Sequence, residues 1–461
     1  MAIETRTFPR RWAGRAWLFP IIAWTGISVS ACEGLVDVEN PNNIVQEDLE
    51  RPAAAAAIVN GALTATSRAI GYVGRAHSTV TDELVWRGSF DYVGQMDRGE
   101  LWNNDSDFVV TAFANLSVAR WLSEEGIKLL EGFEGEGTLS NRNLLGTIYL
   151  LSGINHATAA DMFEDFAMSD RQEAAPPVGR NNMHTLYGVA LERLARAEAI
   201  ARETGNAELE LASVAWRARV NWARAAWEKL APKQTPADPL ISSAQAEDLA
   251  RVALSQASAD WQYQFLYNSA SAQNWFAHWV NSRLEMTYDA SLVRQDGSGR
   301  RACSPHNPAC PEDGIVLLDP IDQIQDPALR RNLWSMIEGH LFSPMTGVSA
   351  RELRLILAEG ALARGNMTEF AEQVNAVRSL EDGLSPYDPS LHSDINPVEL
   401  LEHMRRTNLA FQVQRRLVDM YRFGIRSPRW IDSGESVQAP GTVLPISGVE
   451  MRSNCHIVGS C

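Results

Sequence analysis

Flat aromatic rings set among small polar residues are the side chains here best suited to chemistry, and that chemistry is adhesion rather than bond making. Trp86, Phe90, Tyr92 and Trp102 lie in one polar, glycine-containing stretch, and Trp261, Tyr263, Tyr267, Trp275, Trp279 and Tyr288 crowd a second. Indole and phenol faces stack on sugar rings or pack on peptide side chains, while their N–H and O–H groups reach polar partners. Trp275, Phe276 and Trp279 have helical spacing and read as core, as do Trp216, Trp222 and Trp227. That leaves Trp86, Tyr92 and Trp102, in loops, as the candidate ligand-binding residues. No HExxH, GxSxG, Walker or GxGxxG pattern occurs, so no catalytic residue and no cofactor is expected. Neighbouring acids such as Glu124 with Glu125, or Glu164 with Asp165, say little, because glycoside hydrolysis needs two carboxylates at a set separation across a cleft. Asn103, Asp105 and Asp107 alternate like the first ligands of a calcium loop. Phe108 stands where that loop needs glycine and Ala114 where it needs glutamate, so a turn with solvated acids is expected and no metal.

Cysteine supplies the other chemistry. Arg6, Arg10, Arg11 and Arg15 precede a short apolar run from Trp17 to Ile27, which ends in Val29, Ser30, Ala31 and Cys32. Basic, apolar and then small residues make the order of a secretory signal. The run is shorter than the roughly 20 residues of a spanning helix, and Pro20 and Gly26 interrupt it. The Val-Ser-Ala-Cys sequence resembles a lipobox, in which the cysteine is acylated and becomes the new N-terminus. Cleavage before Cys32 and a lipid anchor on that thiol are therefore expected, against the alternatives of a plain signal or an uncleaved anchor. Of the five cysteines, four then remain, in two local pairs: Cys303 with Cys310, and Cys455 with Cys461. Short loops of this kind suit disulfides in an oxidising compartment. The alternative, zinc held with His306 and His456, lacks the C-x₂-C spacing of a structural site.

These side chains must be positioned by a chain that is 45% hydrophobic and 21% charged, ordinary values for a globular protein. The net charge of −16 argues against nucleic acid as a partner, since phosphate binding wants a basic face. Apolar residues recur at helical spacing over 53–70, 108–130, 142–166, 183–202, 207–230, 244–257, 351–364, 369–380 and 397–423. Strand signals are thin, as in 314–318. The expected fold is all-α, built of helical hairpins about 34 residues per pair, the period of tetratricopeptide units. Its expected organisation is a signal peptide (1–31), a lipid-anchored tether (32–52), an N-terminal helical repeat region (53–259), a loop-rich insertion (260–348), and a C-terminal repeat pair with a closing segment (349–461). Arg415, Arg416 and Arg422 read as structural, tying the last helix to nearby acids.

Several segments, in order, resemble the SusD/RagB family of outer-membrane lipoproteins. Val36 to Ile44 is similar to their mature start, and Arg142 to Ser169 to their first repeat. Arg351 to Asn366 with Val374 to Arg378 looks like their C-terminal repeat pair. Gln414 to Gly424, Leu444 to Ser447 and Glu450 are similar to their closing segment, with Gln414 departing where a glutamate is common. The resemblance implies a non-enzymatic protein, lipid-anchored at the outer membrane and displayed on the cell surface. It would bind an oligosaccharide or peptide and serve as a lid for a SusC-like, TonB-dependent barrel in nutrient uptake. A surface glycan hydrolase, or a periplasmic tetratricopeptide-type adaptor without ligand transport, are the alternative readings.

Overall fold

The computed structural model describes residues 49–170, 173–295 and 314–461. Cys32, the family-like start at Val36 to Ile44, and the Cys303–Cys310 pair lie outside the described residues.

Helices carry the architecture. In order they are α1 (Ala55–Val80), strand β1 (Leu84–Trp86), α2 (Asp91–Asp97), α3 (Asp107–Gly135), α4 (Arg142–Met162), α5 (Thr185–Thr204), α6 (Ala207–Leu230) and α7 (Ala244–Gln256). Then follow β2 (Gln262–Phe265), α8 (Trp275–His278), β3 (Met286–Tyr288), α9 (Pro327–Glu338), β4 (Met345–Ser349), α10 (Ala350–Ala363), α11 (Met367–Arg378), α12 (Pro397–Asn408) and α13 (Arg416–Arg422). Three short turns of helix close the chain, at Glu435–Gln438, Gly448–Ser453 and Cys455–Val458. No described helix is long and apolar enough to cross a membrane.

The boundaries follow local chemistry. Asn206, Ser243, Ser349 and Asn366 each accept a backbone N–H of the helix they precede, answering donors that the first turn leaves unpaired. Gly205 ends α5 at φ 68°, a left-handed conformation that glycine reaches without Cβ strain. Neighbouring helices then pack in sequence, α3 on α4, α4 on α5, α5 on α6 and α6 on α7, while α1 lies along α3. Close approach between α4 and α5 depends on Gly153, where an added Cβ would sit 2.6 Å from Leu194. A second, smaller core forms around α10 to α12, with Phe370, Val374, Leu400 and Leu401 buried in it.

Two expectations on elements need correction. The pattern over 397–423 is not one helix: α12 stops at Asn408, and Phe411 and Gln414 take positive φ of 62° and 74° before α13 begins. Leu409, Ala410, Phe411 and Val413 are buried in the connecting loop and carry the apolar pattern across it, beside the buried side chains of Gln412 and Gln414. The stretch 260–348 also holds more regular structure than its composition suggested. It supplies α9, capped by Asp326, and strands that pair antiparallel with distant partners, β3 with β1 and β2 with β4. Of 314–318, only isolated bridges form, Val293 with Ile315 and Leu318 with Gln325.

Candidate functional site

The ring-rich face begins on α1. Gly71 leaves space for the 274–275 backbone to approach, its missing Cβ lying 3.1 Å from the Trp275 nitrogen. The neighbouring Tyr72 then meets Trp275 face to face, ring centroids 5.1 Å apart and planes 23° from parallel. Asn274 holds Trp275 in place. Its carboxamide oxygen accepts the N–H groups of Phe276 (2.9 Å) and Ala277 (3.2 Å), and its Nδ2 donates to the Ser343 carbonyl at 2.7 Å. Each bond is buried, so the amide is fully committed to positioning.

Around this pair lies an open cleft of about 420 Å³, lined by Arg68, Tyr72, Asn268, Ser269, Ser271, Ala272, Gln273, Trp275 and Phe342. A tight turn presents the polar rim: Asn268 Oδ1 accepts from Ala270 N (2.9 Å) and Ser271 N (3.0 Å), leaving the serine hydroxyls exposed. Arg75 supports the floor. Its guanidinium lies 4.7 Å from the Tyr72 ring centre and 4.1 Å from that of Phe108, and Asp107 pairs with it at 3.3 Å. Partial burial raises the Tyr72 phenol above its ordinary value, while Arg75 and Arg68 pull the other way, so it stays an O–H donor at neutral pH. Burial, then Arg283 and Arg75, lower the His278 imidazole beside Trp275, which is therefore neutral there. Stacking surfaces, amides, hydroxyls and one guanidinium line this cleft, and among the described residues no carboxylate does.

The three residues expected to bind ligand differ in exposure. Trp86 is only 9% exposed, on β1, its ring packed against Phe108 (5.9 Å) and Trp279 (5.7 Å). Tyr92 is half-buried at the start of α2 and stacks on Phe90 at 5.4 Å. Trp102 is 58% exposed, with no ring partner among the described residues. A chain of ring contacts nevertheless joins the expected cluster to the cleft, running Tyr92, Phe90, Trp86, Trp279, His278, Trp275 and Tyr72. Helical spacing correctly marks Phe276 and Trp279 as core, but Trp275 is half-exposed and faces the cleft. Tyr72 escaped the sequence reading because it sits within a long helix. Gly71 beside it was the available signal.

The other candidate chemistries resolve into structure. Asp105 pairs with Arg452 at 2.8 Å and Asp107 with Arg75, while Asn103 closes a turn onto Asp105 N at 3.1 Å. Cys455 and Cys461 form a disulfide, and His456 Nε2 lies 3.0 Å from the Ala174 carbonyl, so neither sulfur is free for zinc. Among the described residues Asp319, Asp326 and His403 also converge. Arg378 occupies both oxygens of Asp319 (2.7 and 3.1 Å), and Asp326 both caps α9 and pairs with His403 at 2.8 Å. Arg415 engages Glu352, Arg416 engages Asp82, and Arg422 engages Asp419 and Glu359, as structural ties.

No family model matches the sequence, and no curated protein matches it. Solved structures do. A SusD homolog from Bacteroides thetaiotaomicron VPI-5482 superposes with a TM-score of 0.56 at 12% identity, covering 91% of this chain and 97% of the other. A SusD superfamily protein from Bacteroides fragilis gives 0.56 at 12%, covering 88% and 98%. A candidate sugar binding protein from Bacteroides vulgatus ATCC 8482 gives 0.55 at 13%, covering 88% and 97%. Likeness over nearly the whole length of each, at such low identity, is likeness of fold.

Proposed function

We propose, from the premise that this chain has the SusD-superfamily fold, that it is a glycan-binding lipoprotein held at the outer membrane by lipid on Cys32. In this reading it is displayed on the cell surface and acts as the lid of a TonB-dependent barrel, passing captured oligosaccharide inward. The Tyr72–Trp275 stack in its open, amide-lined cleft carries the ligand reading. Pyranose rings offer an apolar face to an aromatic plane and hydroxyls to side chains that both donate and accept. Among the described residues the cleft wall holds no pair of carboxylates, in keeping with capture rather than hydrolysis. One solved structure of the same fold is described as a candidate sugar binder, in keeping with this choice of ligand over peptide. The anchor and the barrel rest on the signal-like N-terminus and on the family resemblance of the sequence.

Binding tests the ligand. The full chain is titrated calorimetrically with a panel of soluble polysaccharides, beside Trp275→Ala, Tyr72→Ala and Trp102→Ala variants. Loss of about tenfold or more in affinity on removing Trp275 or Tyr72 is expected, since a stacked aromatic dominates such contacts. Unchanged affinity in both, with loss in Trp102→Ala, would move the site to the loop before α3. Co-purification from detergent-solubilised membranes tests the lid: a large barrel partner is expected, and recovery alone with glycan cleavage would reject the assignment.

A further inference from the structure

A second cavity, distinct from the aromatic cleft, lies where α5 and α6 meet the end of α4 and the closing part of the chain. It measures about 450 Å³, within the range of small-molecule sites. Tyr187, Trp222, Trp227 and Tyr421 contribute rings to its wall, with Met183, Ala223, Ala226, Leu230, Val418 and Val443 between them.

Nearly every buried polar group in that wall already has a partner. Asp161 takes the Tyr187 hydroxyl at 2.6 Å and the Arg219 guanidinium at 2.6 Å. Glu164 takes Lys233 at 2.6 Å and the Val443 N–H at 2.9 Å. The Trp222 indole donates to Glu359 at 3.0 Å, and the Tyr421 hydroxyl to the Thr442 carbonyl at 2.7 Å. Asp161 Oδ2 makes no hydrogen bond but has the Arg219 guanidinium beside it as counter-charge, whereas one end of the Gln414 amide has neither. Gln414 is 3% exposed, and its Oε1 accepts from Arg219 Nη2 at 3.0 Å. A guanidinium has only donors, so the atom facing Arg219 must be the oxygen, and the orientation of the amide is decided. Nε2 is thereby left with no partner among the described residues. The backbone that places it is itself strained, a non-glycine residue at φ 74°. A buried donor without an acceptor costs stability unless something supplies one.

We propose that this cavity is a second binding site, for an uncharged aromatic small molecule whose carbonyl oxygen accepts from Gln414 Nε2. Ring faces and alkyl groups set the aromatic character. The two acids of the wall are each neutralised, Asp161 by Arg219 and Glu164 by Lys233, so a charged ligand would meet no buried counterion. Arg180 and Asn181, which also line the space, are exposed and remain solvated.

Acetophenone and ethylbenzene are the probes, near-isosteres that differ in the carbonyl acceptor. Their affinities for the full chain are measured by ligand-observed saturation-transfer NMR. Two variants that plug the cavity from α6, Ala226→Trp and Ala223→Phe, are measured in the same buffer, so that partition into anything else is common to all samples. The expected result is binding to the parent that at least one folded plugged variant loses, with acetophenone about fivefold the tighter, the effect of one neutral hydrogen bond. Gln414→Leu should abolish that preference while ethylbenzene still binds. Equal binding to parent and plugged proteins, or a ketone preference that survives Gln414→Leu, would overturn the proposal.

Discussion

His77 Nδ1 and Glu83 Oε2 lie 4.0 Å apart in the interior, two titratable groups for which the fold inverts the usual order of proton affinity. Burial, reinforced by the charge of Arg415, pushes the imidazole down to about 3. Burial pushes the carboxyl up to about 7, against the hydrogen bonds it accepts from Phe411 N (2.7 Å) and Ser78 Oγ (2.8 Å). The Leu417 N–H points to His77 Nε2 at 3.3 Å, which makes that nitrogen the acceptor and puts the neutral ring's proton on Nδ1.

The sign of the pH dependence follows. A base with a depressed folded value loses its stabilising contribution as pH falls below the ordinary 6.5; an acid with a raised folded value loses its own as pH rises above the ordinary 4.5. Between those values the native pair holds one proton, on Glu83, and the unfolded pair also holds one, on His77. The pair therefore adds no slope there. Glu83→Gln should unmask the histidine, so that stability falls by about 1.4 kcal/mol more than in the parent for each pH unit lowered within that window. His77→Phe should give the opposite relative slope. Urea midpoints measured at several pH values check both; three parallel curves would refute the inverted pair.

Glu359 is the acid on which the C-terminal packing turns. Fully buried, it accepts from Arg422, from the Trp222 indole at 3.0 Å and from the Ile241 N–H at 2.9 Å, with Arg405 at 3.8 Å. Removing one member of a buried charge network strands the others, at a cost of about 3–5 kcal/mol. Glu359→Ala is expected to lose that much in denaturant unfolding, and a loss under about 1 kcal/mol would show that the arginines find other partners.

Asn274→Ala should affect both folding and ligand. Loss of the cap costs about 1–2 kcal/mol, and Trp275, no longer pinned between α1 and the Ser343 carbonyl, should present its ring less well. Calorimetric titration with a glycan that binds the parent should show weaker binding at a temperature where the variant is still folded. Full affinity there would mean that α1 alone positions the indole.

Cys32→Ser tests the tether. Expressed from the full precursor, the parent should partition with membranes, because two or three acyl chains each contribute about 0.8 kcal/mol per buried CH₂. The variant should lose metabolic labelling with palmitate. Retained labelling would place the lipid elsewhere.

Much of the scaffold was legible in the order of residues, because helix formation is local. Apolar period, an Asn or Ser cap and a glycine stop lie within a few positions of one another. For that reason 207–230 matches α6 at both ends, and the start at Arg142 matches α4. The structural role of Arg415, Arg416 and Arg422 was legible too, since cations on an otherwise apolar segment must find acids.

Contacts between distant positions decided the rest. Whether 397–423 is one helix or two depends on Glu83, whose carboxyl answers the Phe411 N–H of a buried loop from far away in the chain. Periodicity assigns Trp275 and Trp279 to one helix face, yet Trp279 is buried against Trp86 and Phe108, while the approach of α1 at Gly71 leaves Trp275 to meet Tyr72. The free donor of Gln414 is equally invisible in sequence, because it exists only once Arg219 has claimed the oxygen. By itself the sequence located most of the long helices and raised the expectation of an anchor. Tertiary structure decided which rings face outward and which amide is left unanswered, because exposure and hydrogen-bond satisfaction belong to the packed chain and not to any stretch of it.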